Sequence, residues 1–171
     1  MVKLFEDFKM RPNVNVASQE FWKMVTLVNW KDVINSSKKT KTGYKNEESF
    51  DNAQKRLVTN YEHEQIIDFI HDYRRIYNSL ADFFEDIWLD EKFKKFMPSD
   101  DVYSDLISSI IGKGKRFTKT CIENPQMFVD MAKNDDYVEN FIYLLQISKS
   151  QYIETRSKYD PLFRDTIKYN L

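Results

Sequence analysis

The feature that most restricts the fold of this chain is a run of apolar side chains spaced three and four residues apart between positions 61 and 87. This spacing follows the turn of an α-helix, about 3.6 residues, so these side chains share one face. It predicts a long amphipathic helix that is capped by Thr59 or Asn60 and reaches about Asp86. The buried stripe is predicted to comprise Ile66, Ile67, Ile70, Tyr73, Tyr77, Leu80, Phe84 and Ile87, with Tyr61 and Phe69 close to it.

Shorter segments on either side carry helix start and stop signals. Ser18 is suited to cap a first helix that reaches about Trp30, and Phe21 and Trp22 lie on its apolar face. Further helices are predicted over 47–58, 100–112, 115–123 and from 135 or 136 to about 148. A turn or helix is predicted over 90–96, a turn from Asn124 and Pro125, and a docked aromatic tail over 151–171. Residues 1–17 show no helical period and are predicted to form an extended segment. Trp22 and Trp88 are both expected to be buried.

The glycine content supports a fold made of helices. Only three Gly and four Pro occur in 171 residues. Hairpin turns commonly need a positive φ, which glycine adopts most readily, so a multi-stranded sheet would require more of them. We therefore predict a single all-α domain over residues 1–171, an irregular helical bundle of about six to eight helices.

The charge balance and the cysteine content restrict the class of protein. Lys and Arg total 26 and Asp and Glu total 27, which gives a net charge of −1. A domain that binds nucleic acid is usually basic, so a nucleic-acid partner is not favoured. A lone cysteine, Cys121, fits a reducing compartment, and neither a signal peptide nor an apolar run of about 20 residues is apparent. These features predict a cytoplasmic protein that does not enter a membrane.

No constellation in the sequence predicts catalysis, a metal site or a cofactor. His63 and His71 are the only histidines, and eight helical residues, a rise of about 12 Å, separate them too far to share one ion. Cys121 follows Arg116 and Lys119, but a lone helical cysteine is usually a small buried side chain. The Gly112–Lys115 segment lacks the preceding strand and the spacing of a phosphate-binding loop, and it is interpreted as a helix end.

Two groups of acidic residues are the candidate binding residues. The first is a strip at helical spacing that either faces solvent or contacts a basic partner, namely Asp82, Glu85, Asp86, Asp90 and Glu91. The second comprises Asp100 and Asp101 after Ser99, where carboxylates stabilise a helix start by interacting with its dipole. Two lysine clusters, at 38–45 and 113–119, could contact phosphates.

Several motifs resemble those of a bacterial protein family. Phe21 and Trp22 resemble the Phe-Trp pair that opens the first helix of the domain-of-unknown-function family numbered 4240. The segments Ser99–Tyr103, Leu106–Ile107 and Glu123–Pro125, with Gly112 or Gly114 between them, resemble that family's Ser-Asp-Asp block, and the helix from Leu80 to Trp88 resembles its acidic helix. The resemblance spans about residues 18–130. It implies an α-helical bacterial protein and no particular reaction.

These features together favour a non-enzymatic module that binds another protein, for example an immunity or antitoxin-like protein that blocks a toxin. Two alternatives remain open. One is an enzyme of unknown reaction that uses carboxylates such as Asp100 and Asp101. The other is a nucleic-acid-associated module that uses the lysine clusters. The sequence leaves the oligomeric state open.

Overall fold

The computed structural model describes residues 12–28, 47–91, 93–137 and 147–164, and the regular secondary structure in these ranges is helical. The α-helices are α1 (Gln19–Val28), α2 (Glu47–Asn60), α3 (His63–Trp88), α4 (Asp100–Gly112), α5 (Lys115–Glu123), α6 (Gln126–Lys133) and α7 (Lys149–Tyr159), with 3-10 turns at Val14–Val16 and Lys94–Phe96. The predicted all-α bundle of six to eight helices is confirmed. The lysine-rich loop at 38–45 and the tail beyond 164 lie outside the described residues. The helix predicted from 135 or 136 to about 148 does not begin where expected, because residues 134–137 are not helical, and its residues 138–146 also lie outside the described ranges.

The start of α1 is fixed by hydrogen bonds of the residues before it. The Ser18 hydroxyl accepts the Phe21 N–H at 3.0 Å, as its predicted capping role requires. The Trp22 indole N–H donates to the carbonyl of Val14 at 3.2 Å. Val14–Val16 forms a 3-10 turn, where an extended segment was expected, because the Asn13 side chain accepts the Asn15 N–H at 2.9 Å and closes the turn.

The boundary between α2 and α3 differs from the prediction. Thr59 and Asn60 were expected to cap α3, but their side chains donate to the carbonyls of Lys55 and Arg56, each at 2.8 Å. They therefore satisfy the end of α2, which extends to Asn60. The cap of α3 is Glu62, whose backbone N–H donates to the Gln65 side chain at 2.9 Å.

The long helix α3 supplies the largest share of the core, although its buried stripe is not quite the predicted one. Ile66, Tyr73, Leu80, Phe84 and Ile87 are buried as predicted. Phe69, Ile76, Phe83 and Trp88 are buried as well. Ile67 is 41% exposed, so its predicted burial is wrong. It lies nine residues, about two and a half turns, before the buried Ile76, which places the two side chains on opposite sides of the helix.

An aromatic cluster joins α3, α4 and α6. The ring of Phe128 on α6 stacks on Phe84 with the ring centroids 4.1 Å apart. Trp88 and Tyr103 contact the same ring at 5.5 and 5.8 Å. Trp22 and Trp88 are both buried, which confirms that prediction. The described helices include none with the length and apolar composition needed to cross a bilayer.

Candidate functional site

Three tyrosines form a hydrogen-bonded seam that holds α3 and α4 antiparallel. The hydroxyls of Tyr73 and Ser108 lie 2.8 Å apart in the core. One turn further along α3, the Tyr77 hydroxyl donates to Ser104 at 3.0 Å. In the third contact the donor is on α4: the Tyr103 hydroxyl donates to the carbonyl of Ala81 on α3. Along these three contacts the residue numbers rise on α3 and fall on α4. The two helices are therefore antiparallel, and the end of α3 lies beside the start of α4.

The environment of Tyr103 shows that the end of α3 is electronegative. Burial raises the pKa of Tyr103 above its ordinary value, and the charges of Glu85, Asp82 and Asp86 raise it further. Burial also raises the pKa of Tyr73, against the opposing effect of its hydrogen bond to Ser108. Both tyrosines are therefore neutral at physiological pH, and the negative charge beside Tyr103 belongs to the carboxylates.

The five carboxylates of the predicted acidic strip differ in their surroundings. Asp82 and Glu85 are exposed, and neither is ion-paired within the parts of the chain that the structure describes. Asp86 and Asp90 are half-buried and have polar contacts of their own. Glu91 is exposed and lies 3.9 Å from the ammonium of Lys94. Asp82 and Glu85 are thus the members of the strip with most of their charge open to a partner.

Asp100 and Asp101 occupy the first turn of α4, and both are exposed. Ser99 stands at the cap position, but its hydroxyl makes no capping hydrogen bond, and the Tyr103 N–H donates to its carbonyl at 2.8 Å. The two carboxylates therefore act on the helix through its dipole. Because Tyr103 reaches Ala81 from this turn, the turn lies beside Asp82. We define the acidic end as Asp82, Glu85, Asp100 and Asp101.

The segment between α3 and α4 adds apolar and basic side chains next to the acidic end. Leu89 is 66% exposed and Met97 is 54% exposed. The ammonium groups of Lys133 and Lys95 lie 4.0 and 4.8 Å from the ring centroid of Phe96. Exposed aliphatic side chains and lysines therefore lie in the segment that joins the two helices of the acidic end.

The second lysine cluster is partly neutralised within the fold. Lys113 contacts the carboxylate of Asp136 at 2.6 Å, and Lys119 lies 3.7 Å from Glu123. Lys115 and Arg116 remain exposed in the first turn of α5. The first cluster, at 38–45, lies outside the described ranges, so the two clusters are not compared.

The histidines and the cysteine are distributed singly. The ring of His63 lies 5.3 Å from that of Tyr152, whereas His71 is exposed on α3. No group of three His, Cys, Asp or Glu side chains suited to a metal occurs in the part of the chain that the structure describes. Cys121 is buried, and this burial raises the pKa of its thiol to about 12.

The seam was missed from the sequence, although a signal for it is present. Tyr73 and Tyr77 are four residues apart, and so are Ser104 and Ser108, which places each pair on one helical face. Two hydroxyl-bearing pairs at the same spacing on neighbouring helices could have indicated an interhelical polar contact. Tyr73 and Tyr77 were instead assigned to an apolar stripe.

The helical fold and the motifs along α1, α3 and α4 agree with a family assignment. The chain belongs to DUF4240, a family of proteins of unknown function, whose family model matches residues 17–154. This confirms the resemblance predicted over residues 18–130 and extends it into α7. Comparison with curated proteins finds no match, and comparison with solved structures finds none either.

Proposed function

We propose that this protein is a non-enzymatic module that binds a basic protein partner through its acidic end. The observation that carries the proposal is the position of Asp82, Glu85, Asp100 and Asp101, which are exposed at one end of a helix pair held by the tyrosine seam. Charged groups on a rigid surface lose little conformational freedom when a partner binds. Exposed carboxylates also steer a basic partner toward that surface.

The exposed aliphatic side chains beside the acidic end support contact with a folded protein. Specific protein interfaces combine apolar contacts with polar groups that fix the partner's orientation. Leu89 and Met97 supply exposed apolar surface in the segment that joins α3 to α4. Lys94 and Lys95 of the same segment would then lie at the margin of the contact.

A concrete form of this proposal is a bacterial, cytoplasmic immunity or antitoxin-like protein that blocks a basic toxin. The acidic end supports this form by charge complementarity alone. No specific observation on the described residues favours either alternative, the carboxylate-dependent enzyme or the nucleic-acid-associated module. The carboxylates of the acidic end are exposed to solvent, and two members of the second lysine cluster already contact carboxylates.

The proposal is tested with two matched variants of equal charge change. The acidic-end variant carries Asp82→Asn, Glu85→Gln, Asp100→Asn and Asp101→Asn. The control variant carries four equivalent changes at exposed carboxylates elsewhere: Asp51→Asn, Glu64→Gln, Asp68→Asn and Glu154→Gln. Each protein is used to capture partners from a lysate of the native host, and the product of the neighbouring gene is co-expressed with each.

We expect the wild type and the control variant to retain the same basic protein and the acidic-end variant to lose it. If that partner is toxic, only the first two should restore growth on co-expression. A partner that all three retain equally would contradict the role of the acidic end. Far-ultraviolet circular dichroism of both variants establishes that they are folded before binding is compared.

A further inference from the structure

The C-terminal part of the described chain, residues 148–164, buries few of its own apolar side chains. We call these residues the strap. Helix α7 within it buries only one side chain, that of Tyr152, which is 3% exposed. Ile153, Tyr159 and Leu162 of the strap are large apolar residues left exposed. By comparison, α3 buries nine side chains. Apolar burial therefore contributes far less to holding the strap than to holding the core.

The polar contacts of the strap converge on Arg156. Its guanidinium is 14% exposed and contacts the Glu62 carboxylate at 2.8 Å and the Asp160 carboxylate at 3.5 Å. It also donates to the Tyr152 hydroxyl and lies 4.6 Å from the ring centroid of Phe163. A planar guanidinium can make all of these contacts at once because its N–H donors are fixed in one plane and its face stacks on a ring.

The strap packs along α2, and its polar contacts to the bundle are concentrated at the corner where α2 ends and α3 begins. The Tyr152 hydroxyl lies 3.1 Å from the Tyr61 carbonyl and 3.2 Å from the Glu62 carboxylate. Lys55 lies 4.1 Å from the ring centroid of Tyr159. The helix has its own capping box, in which Ser148 and Gln151 bond each other's backbone N–H groups. A helix of this length is nevertheless marginal in isolation, so its amide hydrogen bonds can open when its contacts to the bundle break.

We infer that the strap is a releasable element whose latch is Arg156, and that it opens from the α2–α3 corner while the rest of the bundle stays folded. Segments with little buried apolar surface open locally at a lower free energy than the global unfolding free energy. Release would free the Tyr61 carbonyl, the Glu62 carboxylate and the His63 ring from their contacts with Tyr152 and Arg156. Arg156, Asp160 and Phe163 lie beyond residue 154, where the family match ends.

Hydrogen–deuterium exchange of the full chain, followed by mass spectrometry, tests this inference. Arg156→Gln removes the positive charge and the planar set of guanidinium N–H donors. Lys149→Gln is the matched control, because it makes the same charge change at an exposed position on the same helix. Glu62→Gln removes the partner charge from the bundle side. We expect Arg156→Gln to accelerate exchange in 149–164 by about ten-fold or more, as loss of a charged hydrogen bond predicts.

The expected pattern is local. Exchange in α3 and α4 should be unchanged. Glu62→Gln should also accelerate exchange in the strap, whereas exchange in Lys149→Gln should match that of the wild type. Faster exchange in every helix, or failure of Arg156→Gln to fold, would overturn the inference by showing that the strap belongs to the cooperative core. Unchanged exchange in the strap of both latch variants would show that Arg156 is not its latch.

Discussion

Ser18 and Ser99 each precede a helix, but only Ser18 uses its hydroxyl as a cap. Its Oγ accepts the Phe21 N–H at 3.0 Å, whereas the Ser99 side chain makes no capping bond. We predict that Ser18→Ala lowers the free energy of unfolding by about 1 kcal/mol. Ser99→Ala should cost much less. Chemical denaturation measures both, and an equal loss would contradict the assigned caps.

Cys121 should behave as an inert thiol in the native protein. Burial raises its pKa to about 12, so the thiolate that reacts with alkylating reagents is scarce at pH 8. We expect negligible labelling by iodoacetamide in native buffer and full labelling in guanidinium chloride, measured by intact mass. Rapid stoichiometric labelling of the folded protein would show that the thiol is accessible and ionised.

Single residues were predictable where a local pattern determines them. The burial of Trp22 and Trp88 and the cap at Ser18 follow from helical spacing and cap preference. The second bond of Ser18 does not, because its backbone N–H donates to Asp72 at 2.9 Å across 54 residues. Nothing in the sequence near Asp72 indicates such a partner, since the contact exists only once α1 packs on α3.

At the scale of elements, the tyrosine seam should contribute to the pairing of α3 and α4. Tyr73→Phe removes a buried hydroxyl that lies 2.8 Å from Ser108, and we predict a loss of about 1 kcal/mol in the free energy of unfolding. Tyr77→Phe is the matched control, because its hydroxyl bond to Ser104 is only half-buried. Tyr77→Phe should therefore lower the free energy of unfolding by less than Tyr73→Phe does. A larger loss for Tyr77→Phe would contradict the ranking by burial.

The contact between the strap and the corner should weaken in acid. The hydrogen bond from Arg156 lowers the pKa of Glu62, and burial, which raises it, only partly opposes this. A lowered folded pKa means that the contact stabilises the fold above the ordinary glutamate pKa of about 4.3 and loses that contribution as pH falls through the folded value. Two other groups of the strap, Tyr152 and Asp160, face the same pair.

Amide resonances of Tyr152 and Arg156 measure this acid dependence between pH 6 and pH 3. We expect the wild type to show a transition below pH 4.3. Glu62→Gln, which cannot titrate at this position, should lack that transition or show it much reduced. The same transition in both proteins would assign it to Asp160 or another carboxylate instead of Glu62.

Helix positions were predicted well and helix boundaries less well. The spacing of apolar residues located α3 and most of its buried face. Ile67 is the exception, because it satisfies the spacing rule and still lies opposite Ile76. Thr59 and Asn60 fit the preferences of both a helix end and a helix start. Their side chains bond the preceding turn, a choice that depends on Glu62 and Gln65 capping the next helix.

At the scale of the whole molecule, the fold class was predictable and the candidate site only partly so. Glycine scarcity and helical spacing are sufficient for an all-α bundle. The acidic residues were predicted as two separate groups. Their common location depends on the antiparallel register that Tyr103 and Ala81 define.

The central claim is that the acidic end binds a basic protein, and the dissociation constant of the captured partner tests it most directly. The measurement compares the wild type, the acidic-end variant and the control variant by isothermal titration calorimetry at about 0.1 M salt and again at about 0.5 M, where exposed charges are screened. We expect the acidic-end variant to bind the partner roughly ten-fold or more weakly than the wild type at the lower salt, and the control variant to match the wild type. At high salt, the ratio of the dissociation constants of the acidic-end variant and the wild type should be smaller. Equal dissociation constants for the two variants at both salt concentrations would contradict the claim.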